Sequence, residues 1–228
     1  MVESVQYIAP SAISGATPGI AVAALSCDRG GRRVFSGIEV TLSPGDALVL
    51  RGPNGSGKSS LLRVLGGYIR PAEGVLRWNG EDVWDDIGQY QACVHYVGHL
   101  DGVKPVLTVR ENLTMWSALM GDAMDPDDAL KHFGLGNLAD LPAKYLSAGQ
   151  RRRLNLARLG ASQRPLWLLD EPSVSLDATS VTQLEELVAS HRRTGGIVIV
   201  ATHNDLQIDH ATEIDMGEID MGTLGDAT

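Results

Sequence analysis

Residues Gly52-Pro53-Asn54-Gly55-Ser56-Gly57-Lys58-Ser59 decide the reading of this chain. They match G-x-x-x-x-G-K-[ST]. The short apolar run Ala47–Leu50 precedes them, and Ser60–Gly67 follows with helical spacing. Strand, glycine-rich loop and helix in that order make a cradle for phosphate. Glycines let successive backbone N–H groups curl around phosphate oxygens. The helix N-terminus behind them adds partial positive charge. Ser60 carries the cradle into the helix. Lys58 is expected at the β- and γ-phosphates and the Ser59 hydroxyl at Mg²⁺. The loop calls for a nucleoside triphosphate and no more, since kinases, GTPases and motor ATPases all share it.

A second element narrows the chemistry. Leu166-Trp167-Leu168-Leu169 is a fully apolar run that ends in Asp170-Glu171. Such a run suits a buried parallel strand. It would deliver Asp170 to the metal, directly or through water. Glu171 could then polarise the attacking water as a general base. Two adjacent acids at the mouth of a buried strand repel each other, and a bound cation relieves that repulsion.

The rest of the chain sorts into recognisable pieces. Residues 1–19 are rich in Ala, Ser, Pro and Gly with one charge, Glu3, and read as a loose extension. Ile38–Leu42 alternates, Pro44-Gly45-Asp46 turns, and Ala47–Leu50 follows, giving two strands about a tight turn. Val75–Trp78 and Glu81–Val83 flank Asn79-Gly80, a hairpin signal. The middle is helical. Thr108 and Glu111 form a capping box for a helix to about Met120. Asp125-Pro126 caps a second helix, which Leu141-Pro142 breaks. Ser147–Gly160 is a third. Asp177 caps a helix to Arg193 that ends at Gly195-Gly196. Ile197–Ala201 is another buried strand. The tail carries a tandem repeat, Glu213-Ile-Asp-Met-Gly217 then Glu218-Ile-Asp-Met-Gly222, and reads as a solvated acidic segment with room for one edge strand.

Composition sets the outer limits. The 228 residues correspond to about one and a half domains. Charged residues make up 21% and hydrophobic residues 43%, which excludes global disorder, collagen and coiled coil. A net charge of −9 argues against a general nucleic-acid-coating role and leaves room only for a local basic patch. Cys27 and Cys93 have no metal spacing and read as two reduced thiols. No apolar run approaches the ~20 residues of a membrane span. The first residues also lack the charged start of a signal peptide. A protein of this kind working at a membrane must borrow another chain to get there.

Leu146-Ser147-Ala148-Gly149-Gln150 lies shortly before the apolar strand. Ser147 is a plausible N-cap and Gln150 closes a capping box. Gly149 weakens a first helical turn and suits a site where something approaches the backbone closely. With this motif the chain resembles the ATP-binding-cassette family over about residues 20–206. The motifs stand in that family's order: Gly52–Ser59, Leu146–Gln150, Leu166–Glu171, Ser175-Leu176-Asp177, and His203.

The resemblance implies an α/β fold, a P-loop NTPase of the nucleotide-binding-domain type. A mixed sheet core is expected, with an N-terminal antiparallel β subdomain and a helical subdomain over about residues 99–162. The acidic tail is assigned to 207–228. It implies ATP and Mg²⁺ as ligands, a homodimer of cassettes, and Ser147 and Gly149, with Gln150, acting on the γ-phosphate held by the partner. His203 resembles the family's γ-phosphate switch histidine. Two departures are informative. His99, in Tyr96-Val97-Gly98-His99, stands where the family has a metal-contacting glutamine. Arg29 stands where an aromatic residue stacks on adenine, and its guanidinium can stack instead.

Those departures, with Leu146-Ser-Ala-Gly-Gln150, the run Val97-Gly-His-Leu-Asp-Gly-Val-Lys104 and the segments Leu146–Leu159 and Gly195–His203, resemble one subfamily, the haem-exporter ATPases of cytochrome c maturation. Membership implies a peripheral subunit on the cytoplasmic face of the bacterial inner membrane. It implies integral membrane partners of the CcmB and CcmC kind, and an indirect link to haem and a haem chaperone. ATP hydrolysis would drive haem handling or chaperone release, and the helical segment from His99 to Lys144 would face the membrane partner. The alternatives are a cassette for another cargo, a soluble cassette ATPase, and a catalytically dead binding module. Lys58, Glu171 and His203 together argue against the last.

Overall fold

The computed structural model describes residues 19–120, 125–161, 163–204 and 206–217. Apart from Gly19, the expected N-terminal extension lies outside the described residues, as does the second copy of the pentapeptide. The chain divides into two compact units.

The larger unit holds two sheets. β1 (Ile20–Arg29), β2 (Arg32–Leu42), β4 (Glu73–Trp78) and β5 (Glu81–Asp82) form an antiparallel sheet in the order β2-β1-β4-β5. β3 (Ala47–Arg51), β6 (Val94–Val97), β7 (Leu166–Asp170), β8 (Ile197–Ala201) and β9 (Thr212–Asp215) form a parallel sheet in the order β6-β7-β8-β3-β9. The expected mixture of strand directions thus resolves into one sheet of each kind. β2 and β3 flank the tight turn at Pro44-Gly45-Asp46, yet they belong to different sheets.

Every residue of β7 and β8 is buried. That burial is why both read as unbroken apolar runs. The Asn79-Gly80 turn has positive φ at both residues, 52° and 90°, which a two-residue hairpin of this hand requires. α1 (Lys58–Leu65) buries Leu61, Leu62, Val64 and Leu65 against the sheet. α2 (Ile87–Ala92) precedes β6. β9 is the edge strand, built from the first copy of the acidic repeat. Its neighbour Met216 is 1% exposed and joins the core, so an apolar residue ties the start of the tail to the fold.

The smaller unit is helical. α3 (Val109–Leu119) opens with the Thr108–Glu111 capping box. α4 (Pro126–His132) is capped by Asp125, with Pro126 in its first turn. α5 (Ala148–Ala157) starts at Ser147 and runs into a 3₁₀ turn at Arg158–Ala161. Within this unit Arg152, 4% exposed, pairs with Asp101 at 3.5 Å, and Arg158 lies over the Trp116 ring at 4.4 Å. α6 (Ala178–Arg193) begins in the smaller unit, where the Asp177 side chain accepts a bond from Ser180 N, and continues into the larger one. Among the described residues, no helix is long and apolar enough to cross a membrane.

Candidate functional site

The phosphate loop leaves the C-terminal end of β3 and enters α1. Gly55 has φ +87°, and a Cβ built on it meets nothing within 4 Å, so the loop is open there. Gly57 has φ +96° and caps α1, a conformation that favours glycine. Lys58 is 7% exposed. Its ammonium donates to the carbonyls of Gly52 at 2.6 Å and Pro53 at 3.0 Å. The Ser56 hydroxyl oxygen is buried without a hydrogen-bond partner among the described residues. An unpaired buried hydroxyl is costly, and a loop oxygen-binding ligand would relieve it.

β7 brings its two acids to the same end of the sheet. Asp170 is 1% exposed. Its Oδ1 accepts from Ser59 Oγ at 2.9 Å. Its Oδ2 accepts from Tyr96 OH at 3.3 Å and lies 3.8 Å from His99 Nδ1. Burial, and then the adjacent Asp170 carboxylate, push the Tyr96 phenol above its ordinary pKa, while Arg63 beside it pulls the other way. Glu171 turns sharply out of β7 with φ +49°. That is a strained backbone for a residue with a side chain, and strain of this kind collects at functional sites. Its N–H donates to Ala201 O at 2.8 Å. Its Oε1 lies 2.9 Å from His203 Nδ1, and Oε2 accepts from His203 N at 3.4 Å. His203 follows β8 and is half-exposed.

Five expected residues therefore gather in one unit, after three adjacent parallel strands: Lys58, Ser59, Asp170, Glu171 and His203. His99 joins them from the end of β6. Ligands of open parallel sheets bind at this end. Arg29 belongs to the same unit and is exposed at the tip of the β1–β2 hairpin.

Ser147, Gly149 and Gln150 belong to the helical unit. Ser147 Oγ accepts from Gln150 N at 3.2 Å, and Gln150 Oε1 accepts from Ser147 N at 2.8 Å. Both side chains thus serve the cap of α5. A Cβ on Gly149 would lie 3.1 Å from Ser175 O, so packing inside this unit is one reason for glycine there. Ser175, in the family-type Ser175-Leu176-Asp177 motif, itself has φ +66°.

Sequence reasoning missed Tyr96. The signal was present, because Tyr96 sits three residues before His99 on a strand whose period of two can be counted. It also missed the turn that holds His203, in which Thr202 Oγ1 accepts from Asn204 N at 3.0 Å and Arg51 donates to Asn204 O at 2.8 Å.

The family described as ABC transporter matches residues 35–174. The cytochrome c biogenesis ATP-binding export protein CcmA of Paramagnetospirillum magneticum is 53% identical over 201 residues, covering 85% of this chain and 92% of that protein. The chain belongs to the CcmA family of ABC transporter ATP-binding subunits. It is an ATP-binding ATPase. The fold agrees with solved cassettes. One, the ATP-binding subunit of an ABC transporter, has a TM-score of 0.77 at 22% identity, covering 91% of this chain and 90% of its own. Another is the cassette MJ0796, a dimer in a post-hydrolysis state bound to ADP and phosphate. It has a TM-score of 0.71 at 24% identity, covering 81% and 88% respectively.

Proposed function

We propose that this chain is the ATP-hydrolysing subunit of a haem-handling transporter of cytochrome c biogenesis, peripheral to the cytoplasmic face of the bacterial inner membrane. One observation carries the mechanistic part: Lys58, Ser59, Asp170, Glu171 and His203 converge after three adjacent parallel strands. The loop N–H groups and Lys58 bind the phosphates, with Lys58 exchanging its loop carbonyls for phosphate oxygens. Arg29 stacks on the base. Glu171 orients or deprotonates water, and His203 holds Glu171 and stabilises charge on the γ-phosphoryl group. In a closed dimer, Ser147 and Gly149 of the second copy, with Gln150 fixing the cap, complete the cradle. Catalysis is positioning plus electrostatics.

The donor set fits Mg²⁺. Ser59 and Asp170 offer hard oxygens at 2.9 Å from each other, with His99 near. No group of three or more acidic, His or Cys ligands occurs among the described residues. Mg²⁺ in such sites needs none, because it keeps waters and takes substrate phosphates. When bound it neutralises phosphate charge and polarises the reacting centre. Ser59 and Asp170 would hold it.

The export role is supported by the name of the 53% identical relative. Co-expression with CcmB- and CcmC-like membrane subunits tests it. Capture through this chain is expected to retain membrane subunits, haem and a Lys58-dependent ATPase. A chain that hydrolyses ATP but captures no membrane subunit would refute the assignment.

A further inference from the structure

The register of β6 on β7 creates a contact that none of the nucleotide-binding motifs requires. The two strands run parallel with Tyr96 opposite Leu168. Side chains alternate with period two, so Tyr96, Leu168 and Asp170 share one face. Strand spacing and a two-residue step separate the backbones of positions 96 and 170 by about 8 Å. A short side chain at 96 could not cross that gap. The tyrosine does, and its hydroxyl donates to Asp170 Oδ2. The other oxygen, Oδ1, meets Ser59. The carboxylate is therefore held at both oxygens and cannot rotate freely. Tyr96 is itself braced by Tyr68, edge to face, with ring centroids 5.5 Å apart. His99 does not duplicate the contact, since 3.8 Å exceeds hydrogen-bond distance.

We propose that Tyr96 is a positioning residue that holds Asp170 Oδ2, so that only Oδ1, bonded here to Ser59, can exchange its partner for a metal ion, and thereby makes the site select Mg²⁺ over Ca²⁺. The proposal rests on the reading of Ser59 and Asp170 as the metal-side pair. Mg²⁺ is small and octahedral and is content with one carboxylate oxygen. Ca²⁺ takes six to eight oxygens and often both from one carboxylate. Tethering Oδ2 denies the larger ion that second oxygen. Partners one bond removed from a metal site commonly tune its affinity by 10- to 100-fold.

Tyr96→Phe keeps the ring and its contact with Tyr68 and removes one hydroxyl. Binding of a fluorescent ATP analogue would be titrated in EDTA, in Mg²⁺ and in Ca²⁺. The parent chain is expected to bind more tightly with Mg²⁺ than in EDTA. In the variant the Mg²⁺-supported affinity should fall about tenfold, with affinity in EDTA unchanged and the Ca²⁺-supported affinity unchanged or higher, because the second carboxylate oxygen is released. Equal losses in all three media would overturn the proposal by showing a merely structural role. Unchanged values in all three would overturn it too, while leaving the metal reading in place. A parent chain whose affinity ignores the metal would instead overturn the metal reading, and the proposal with it.

Discussion

His191 offers a test of how the sheet that carries the acids is held together. Its ring stacks on Trp167 of β7, with centroids 3.8 Å apart and planes within 4°. Trp167 is 3% exposed. Burial pushes the His191 pKa from 6.5 down to about 4, and backbone groups at Pro165 and Ile197 offset only part of that. Its Nε2 is buried without a hydrogen-bond partner among the described residues. A Cβ on Gly196 would lie 2.1 Å from Nε2, so only glycine admits the ring. The folded pKa lies below the unfolded one. Between about pH 6.5 and pH 4 the unfolded chain therefore binds more protons, and stability falls as the pH falls. The full gap is worth about 3 kcal/mol, of which about 2 kcal/mol is lost between pH 7 and pH 5. His191→Phe retains the stack and cannot charge. Urea unfolding of parent and variant at both pH values isolates the effect, because the carboxylates titrate in both chains. The parent should lose about 2 kcal/mol more than the variant. Equal losses would refute the reasoning.

Three further outcomes are expected. Glu171→Gln should bind ATP normally and hydrolyse it about 10²- to 10⁴-fold more slowly; hydrolysis near the parent rate in the assembled complex would remove Glu171 from the base role. His99→Gln should keep coupled hydrolysis, since an amide oxygen can serve where the imidazole stands, and complete loss of ATPase coupling would show that the imidazole is needed. Gly74→Ala should lower stability by at least about 1 kcal/mol, because its Cβ would lie 2.4 Å from Ala24 O at a φ of +89°; an unchanged melting temperature would contradict that.

The local elements were legible wherever one short segment contains the whole cause. Asn79-Gly80 made its hairpin, because two positive φ angles are needed there and those residues permit them. Thr108 with Glu111, and Ser147 with Gln150, made reciprocal caps. The apolar runs Leu166–Leu169 and Ile197–Ala201 became buried parallel strands. Legibility failed where the cause is shared between distant segments. The turn at Pro44-Gly45-Asp46 gave no hint that β2 and β3 part into different sheets. Met216 looked like part of a solvated tail until β9 paired with β3.

The same division applies to the site. Sequence by itself determined the chemistry available: a glycine loop for phosphate, a lysine and a serine after it, two acids closing an apolar strand, and a histidine past another. Each is a property of residue type and short spacing. Only the tertiary structure decided which of them meet. Ser59 and Asp170 are 111 residues apart and Tyr96 and Asp170 are 74 apart. The strand order β6-β7-β8-β3 brings them together, and strand order is a choice among long-range pairings that no local pattern encodes. The hydroxyl of Tyr96 acquires its partner only when that order is complete.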